Sequence, residues 1–350
     1  MNTDPSHSFR NKRVLVTGAS GFLGRHLVKK LENMELSELI LSKTPYGCNA
    51  EVDDWDLTRS DEVDELFISA VEGGKIDYVF NLAGYNGNIQ MNLKQPSTIF
   101  MQSTLMNLNM LQACHEWDVG KVVSVVASCA YPHEELVTYE CGSQWEDREI
   151  MEEDDFFDGP PHPSVECHGY AKRNLQLASH FYNQQYNSQF CTVCPPTLYG
   201  PGDRLDPDRT KVMMALIKKI CDAKRNNEPL VSFWGSGKPL REFMFVEDAA
   251  NLLIQAALHY DCSQYPLNIG TGQETSISKL VEVICTLVGY SGEIWWDTSK
   301  PDGAYRKRLD TTKMEETLGK YDFVPFVDGI KQTISWYISL NPAAYGQYCL

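Results

Sequence analysis

Val14-Leu15-Val16-Thr17-Gly18-Ala19-Ser20-Gly21-Phe22-Leu23-Gly24 joins an apolar, β-branched strand to three glycines at G-x-x-G-x-x-G spacing. His26-Leu27-Val28-Lys29-Lys30-Leu31 follows and reads as a helix. Strand, glycines and helix in that order make a phosphate-binding turn. Gly18 permits the tight turn, Gly21 lets backbone N–H groups approach a pyrophosphate, and Gly24 lets the helix pack close to the strand. The positive N-terminal end of the helix then faces the phosphates. Gly18, Ser20, Gly21, Phe22, Leu23 and Gly24 are therefore the expected cradle of a dinucleotide.

The bulk composition narrows the partners. At 350 residues and 43% hydrophobic, the chain suits one large α/β unit or two intimately joined lobes. A formal net charge of −16 argues against nucleic acid and anionic membranes, which need a basic surface. No stretch reads as a membrane span, and MNTDPSHSFRNKR lacks the apolar core of a signal peptide, so a cytoplasmic protein is expected. Eleven cysteines without framework spacing suggest reduced thiols. Cys191-Thr-Val-Cys194 lies in an expected strand, where the two thiols face opposite sides, so no metal site is expected there. Residues 134–158 hold eleven acidic side chains against one basic one, Arg148, and read as a solvated loop.

Strand-like and helix-like segments alternate through the first half. Strands are expected at 14–17, 38–42, 78–84, 121–128 and 190–194, with helices at 22–33, 60–72, 97–116 and 168–186. This alternation predicts a Rossmann-type, doubly wound parallel sheet. Later segments are less regular: helices at 210–226, 247–259 and 276–288 and a strand at 231–234. They suggest a cofactor domain over 12–198 and a smaller, interleaved substrate lobe over 199–345, with 230–260 returning to the first domain.

Ligands of such sheets sit at the carboxyl ends of the strands. Leu82, Ala83 and Gly84 would line the adenosine-ribose side, and Asp56 and Leu57 would sit over the adenine. Ser128 and Cys129 close the fourth strand, and Lys172 lies on the helix after it. The second strand ends Leu41-Ser42-Lys43, a hydroxyl and a cation in place of the acidic residue that takes a ribose 2′-OH. Ser42 and Lys43 suit a 2′-phosphate, which favours NADP(H) over NAD(H).

Longer motifs follow: Ser128-Cys129-Ala130-Tyr131-Pro132, Leu198-Tyr199-Gly200-Pro201-Gly202-Asp203, Trp234-Gly235-Ser236-Gly237-Lys238-Pro239-Leu240-Arg241-Glu242-Phe243 and Ser299-Lys300-Pro301-Asp302-Gly303. With them, and with its three-residue glycine spacing, the chain resembles the extended short-chain dehydrogenase/reductases, and among these the GDP-L-fucose synthase family, over about residues 12–338. The resemblance implies a GDP-4-keto-6-deoxyhexose substrate, inversion at C3 and C5, and reduction of the C4 ketone by NADPH. It also implies a homodimer formed through the helices near 97–116 and 168–186. Arg241 is implied as a clamp on the diphosphate, with Trp234, Lys300, Lys219 and Thr197 as further substrate contacts.

Carried over position by position, the likeness breaks at its centre. The family's reductive trio is Ser, Tyr and Lys. Here Lys172 remains, His168 stands for the Tyr and Ala127 for the Ser, while Ser128 falls one residue late. Tyr170 is no replacement, since two residues along a helix turn it by about 200°. Of the epimerisation pair, Cys129 remains and Lys211 stands where the family has His. A thiolate next to a cation can remove a proton α to a ketone, and Lys211 can return one. Three readings follow: an epimerase and/or reductase with His168 as acid, an NADP-retaining isomerase without net redox, and a non-catalytic NADP-binding subunit.

Overall fold

The structure is a computed structural model that describes residues 5–42, 55–132, 150–300, 302 and 305–340. Lys43 and residues 134–149 of the acidic stretch lie outside the described residues. In chain order, α1 (Pro5–Ser8) precedes β1 (Arg13–Thr17), α2 (Phe22–Leu31), β2 (Glu38–Ser42), α3 (Ser60–Val71) and β3 (Tyr78–Asn81). Next come α4 (Ile89–Lys94), α5 (Pro96–Glu116), β4 (Lys121–Val125), α6 (Glu166–Tyr186), β5 (Phe190–Cys194), β6 (Thr197–Tyr199) and α7 (Val212–Arg225). The chain continues through β7 (Leu230–Trp234), β8 (Leu240–Phe245), α8 (Val246–His259), β9 (Leu267–Asn268), β10 (Glu274–Ser276) and α9 (Ile277–Val288). It closes with β11 (Glu293–Asp297), α10 (Thr312–Leu318) and α11 (Phe326–Ser339).

Six strands form one sheet in the order β2-β1-β3-β4-β5-β9, with every pair parallel. Both faces are covered, which is why Val14-Leu15-Val16 is apolar without alternation. Leu15, Val79 and Val122 pack on the side of α3 and α5, whereas Val14, Val16 and Val123 pack on the side of α2 and α8. Each such side chain contributes about 1.5–3 kcal/mol when fully buried. The order reverses at β1, which has β2 on one side and β3 on the other. That switch point places the glycine turn over the sheet's carboxyl edge.

Helix α2 forms because Gly24, Leu27, Val28 and Leu31 make one buried stripe, while Lys29 and Lys30 suit the negative C-terminal end. Its N-cap, Gly21, is extended and makes no side-chain cap, so the first N–H groups stay free for a ligand.

The smaller lobe holds the sheet β10-β8-β6 and the ribbon β11-β7, around a core of Met213, Ile217, Phe243, Phe245 and Ile284. Along β8 the side chains alternate: Phe243 and Phe245 enter this core, and Met244 enters the large domain's core. The 230–260 segment therefore divides. Strands β7 and β8 stay with the small lobe, and α8, β9 and α10 rejoin the large sheet.

Three local expectations are corrected. Cys191 and Cys194 do face opposite cores, but Cys191 is paired in a disulfide with Cys262, 71 residues away. The fold of α8 back onto the sheet brings the two together, and no spacing in the chain announces it. Strand β4 ends at Val125, and Ser128–Ala130 is a 3-10 turn, so strand alternation does not govern where Ser128 points. The last part of the acidic stretch is only partly solvated: Glu152, Asp154 and Asp158 are exposed. Glu153 and Asp155 are buried on a short turn whose Phe156 is fully buried in the core, and Glu153 accepts the N–H of Asn268 at 3.1 Å.

Candidate active site

The glycine turn has no room for side chains. Gly18 has φ +65°, and a Cβ there would lie 2.9 Å from the N of Ala83. A Cβ on Gly24 would overlap the carbonyl oxygen of Gly18. Thr17 Oγ1 accepts the N–H groups of Leu82 (3.1 Å) and Ala83 (3.2 Å), which fixes the loop after β3 against the turn. This cradle, with the uncapped start of α2, fits a dinucleotide diphosphate. Ser42 is fully buried at the end of β2, its hydroxyl without a partner among the described residues. The Leu57 side chain is fully buried in the core. Asp56 turns its Oδ1 onto Thr58, accepting its N–H (3.0 Å) and its hydroxyl (2.7 Å) at the approach to α3.

Four residues expected from sequence meet at the carboxyl ends of β3 and β4. Lys172 is 8% exposed, donates to the carbonyl of Val125 at 2.7 Å, and lies 4.0 Å from where a Cβ on Gly84 would be. Burial lowers its pKa to about 8, opposed by Cys129. His168, one turn earlier, is 6% exposed, and its Nδ1 has no partner among the described residues. Burial, then the ammonium groups of Lys172 and Lys211, hold its pKa well below the usual value, so the imidazole is neutral. Helix α6 lies close over Cys129: a Cβ on Gly169 would be 3.1 Å from the Cys129 carbonyl oxygen. Tyr170 points away and is exposed, as the helical rotation requires.

Lys211 is the N-cap of α7 and not a solvated helix residue. Its Nζ donates to the carbonyl of Gly87 at 2.7 Å, across to the loop after β3. Burial lowers its pKa, while Cys129 and Asp203 raise it. Cys129, the neutral His168 imidazole, Lys172 and Lys211 thus lie within electrostatic reach of one another, hydrogen-bond donors and proton carriers together.

The substrate-lobe residues divide into two groups. Trp234 is 62% exposed, and Lys300 Nζ lies over its ring at 5.8 Å from the centroid. Nearby in sequence, Ser236 donates its N–H (2.8 Å) and hydroxyl (2.7 Å) to Asp302. Lys219 reaches the neighbouring strand, donating to the Ser232 carbonyl with its ammonium over the Phe233 ring. Arg241 lies apart from these, on β8. It donates to the carbonyl oxygens of Leu240 (2.6 Å) and Tyr305 (3.3 Å) and lines a cavity of about 180 Å³ with Tyr199 and Phe243. Thr197 begins β6, partly buried.

Sequence reasoning passed over the residues that join the two lobes. Arg25 Nη2 donates to the carbonyl of Gly202 at 2.6 Å, and the His26 ring meets the carbonyl of Pro201 at 2.8 Å. Asp203, beside them, is a buried carboxyl. It stood in the quoted Leu-Tyr-Gly-Pro-Gly-Asp run, and only an apolar setting for that run would have drawn attention to it.

A glycine cradle at the switch point, with a lysine-bearing helix crossing the adjacent strand ends, defines a dinucleotide-dependent enzyme acting on a carbonyl or its neighbouring carbons. The chain belongs to the NAD dependent epimerase/dehydratase family, whose sequence pattern matches residues 14–270. It is 31% identical over 332 residues to GDP-L-fucose synthase of Dictyostelium discoideum, covering 93% of this chain and 95% of that one. It is 31% identical over 335 residues to GDP-L-fucose synthase of Escherichia coli K12, covering 93% and 97%. The crystal structure of a GDP-L-fucose synthetase from Naegleria fowleri bound to NADP superposes with a TM-score of 0.78 at 26% identity, covering 96% of this chain and 97% of that one.

Proposed function

We propose that this chain is an NADP(H)-dependent epimerase/reductase of a GDP-4-keto-6-deoxyhexose, similar in chemistry to the GDP-L-fucose synthases it resembles. The observation that carries the reading is the meeting of Cys129, His168, Lys172 and Lys211 beside the glycine cradle. Bound NADPH supplies a hydride to the ketone carbon. His168, being neutral, donates an N–H hydrogen bond to the oxygen as its charge develops, worth about 10²–10³ in rate. The proton that ends on the alcohol comes from the Lys172 ammonium, whose pKa burial lowers to about 8. Cys129 and Lys211 exchange the protons on the carbons flanking the ketone. Arg241, Trp234 and Lys300 hold the nucleotide.

The test is incubation with NADPH and GDP-4-keto-6-deoxymannose in deuterated water, read by NMR and NADPH absorbance. The expected result is oxidation of NADPH with deuterium at the flanking carbons. No oxidation and no exchange would sink the proposal. A second reading, isomerisation without net redox, is favoured by one observation: a neutral imidazole is a weaker acid than the phenol it replaces. Exchange without NADPH oxidation selects it.

A homodimer belongs to the same proposal. Helices α5 and α6 pack along each other, and Met101, Leu105 and Leu108 on one, with Leu177 and Phe181 on the other, are exposed at helical spacing. A cytoplasmic location belongs to it too, supported by the free thiols of Cys114, Cys129, Cys167, Cys194, Cys221 and Cys285 and opposed by the Cys191–Cys262 disulfide. Cell fractionation checks that location. Among the described residues no helix is long and apolar enough to cross a membrane.

A further inference from the structure

Strand β4 stops at Val125, and Cys129 sits beyond it, in the middle of the Ser128–Ala130 turn. Such a turn has little stability of its own. It closes on two backbone bonds, Ala130 N–H to the Ala127 carbonyl (2.9 Å) and Tyr131 N–H to the Ser128 carbonyl (3.3 Å), with no side-chain cap at its start. The aim of the Cys129 thiol is therefore set by what grips the turn from outside.

Two consecutive residues of α6 grip it. Lys172 Nζ donates to the carbonyl of Val125 at 2.7 Å, and Arg173 Nε donates to the carbonyl of Ala130, also at 2.7 Å. One bond falls on the last residue of β4 and the other on the last residue of the turn, so the segment carrying Cys129 is bracketed at both ends. Arg173 is 6% exposed. Its guanidinium carbon lies 6.0 Å from the centre of the Phe156 ring, 5.9 Å from that of Phe157 and 5.7 Å from that of Tyr170. Phe156 in turn stands edge-on to Tyr131, the residue that follows the turn, with ring centres 5.1 Å apart. The buried end of the acidic stretch thus packs the guanidinium against the segment that carries Cys129.

Arg173 Nη2 is buried with no hydrogen-bond partner among the described residues. A donor left so costs free energy, and a side chain that only filled this cage would be apolar. What the guanidinium makes there, and an apolar chain cannot, is the bond to Ala130. Burial lowers its pKa to about 10, opposed by Tyr170, Asp158 and Cys129, so it keeps its proton at neutral pH.

We propose that Arg173 is a positioning residue for Cys129: held among Phe156, Phe157 and Tyr170, it fixes through the Ala130 carbonyl the turn that aims the thiol. The inference rests on the reading of Cys129 given above, as the group that takes the proton beside the ketone. In that step the C–H bond breaks, the thiolate forms an S–H bond, and the electron pair of carbon passes into the enolate. A misplacement of about 1 Å costs such a step on the order of 10² in rate.

Arg173→Met and Arg173→Gln, each in the full chain, test this. Methionine fills the cage without a donor. The glutamine side-chain nitrogen stands as many bonds from the backbone as Arg173 Nε and can donate to Ala130 without a charge. Amide hydrogen exchange resolved to single residues reads the turn with no substrate present. In Arg173→Met the N–H groups of Ala130 and Tyr131 should exchange about tenfold faster, the worth of one hydrogen bond, with the melting temperature unchanged or higher. Deuterium incorporation into GDP-4-keto-6-deoxymannose should fall about 10²-fold in kcat with KM little changed. Arg173→Gln should restore both. Turn amides that exchange at the parent's rate in folded Arg173→Met overturn the proposal, and so does a loss confined to KM. Should Arg173→Met not fold, Arg173→Gln decides: parent-like turn amides uphold the proposal, and faster ones overturn it, since the bond to Ala130 would then not be what holds the turn. No incorporation by the parent overturns the reading of Cys129 and leaves the amide rates to decide the role of Arg173.

Discussion

In the proposed chemistry, His168 is the residue on which the outcome turns. An imidazole with its pKa well below 6.5 does not take part as imidazolium at neutral pH, whatever its place in the reaction. Its ring resonances should therefore stay at their neutral positions from about pH 6 to pH 8, read by NMR. A midpoint inside that window would show that burial and the two ammonium groups do not hold it down. Restoring the family pattern with His168→Tyr and Ala127→Ser should raise ketone reduction, by about 10² or more, because a hydroxyl acid and an oxyanion donor return beside Lys172. Unchanged reduction by that double variant would place the acid elsewhere. Lys172 sets a further limit. With its pKa lowered to about 8, it carries its proton below that pH and loses it above. Reduction should fall as pH rises through about 8, and a pH–rate profile flat to pH 9.5 would remove Lys172 as the proton source.

At the scale of elements, the two lobes are pinned by single side chains that reach across strands. Glu242 on β8 is almost fully buried, accepting the N–H groups of Thr271 (2.6 Å) and Gly272 (3.0 Å) with one oxygen and of Leu309 (2.9 Å) with the other. It ties β8 to the turn before β10 and to the segment leading to α10. Glu242→Ala would leave these donors without their acceptor, at about 1–3 kcal/mol each. The expected outcome is a clear drop in melting temperature by calorimetry, larger than for Glu242→Gln, which keeps one acceptor oxygen. The β1–α2 joint is similarly unforgiving. Gly24→Ala sets a methyl against the Gly18 carbonyl, so α2 must lift off the strand. Calorimetric titration should show NADP binding lost or weakened at least tenfold, and parent-like binding would mean that the turn yields more easily than its packing suggests.

For the molecule as a whole, the open question is what covers α5 and α6. Phe181 is 55% exposed on a face with Leu105, Leu108 and Leu177. An apolar face on two adjacent long helices suits self-association about a two-fold axis. Leu105→Asp with Phe181→Asp should convert a dimer to a monomer in analytical ultracentrifugation, because each interface would receive two copies of each charge. A parent that sediments as a monomer would remove the dimer from the reading. The site itself lies at the carboxyl ends of β3 and β4, so the monomeric variant should still bind NADP.

What the chain determined by itself is local. The limits of the strands and helices expected from sequence came within a few residues of the structure because period, β-branching and the glycine turn act over short stretches. Cys129, Lys172, Lys211 and the change at His168 were singled out through the family resemblance, carried over position by position. Other features depended on segments far apart in sequence, and only the tertiary structure decided them. The return of α8 joined Cys191 to Cys262, and the packing of the loop after β3 on the approach to α7 placed Lys211. The same closure buried Asp203 with a free oxygen. Proton affinities follow burial and neighbouring charge, which are properties of the folded surroundings and not of spacing. That is why the sequence could point to candidate groups, and only the fold could set their proton affinities.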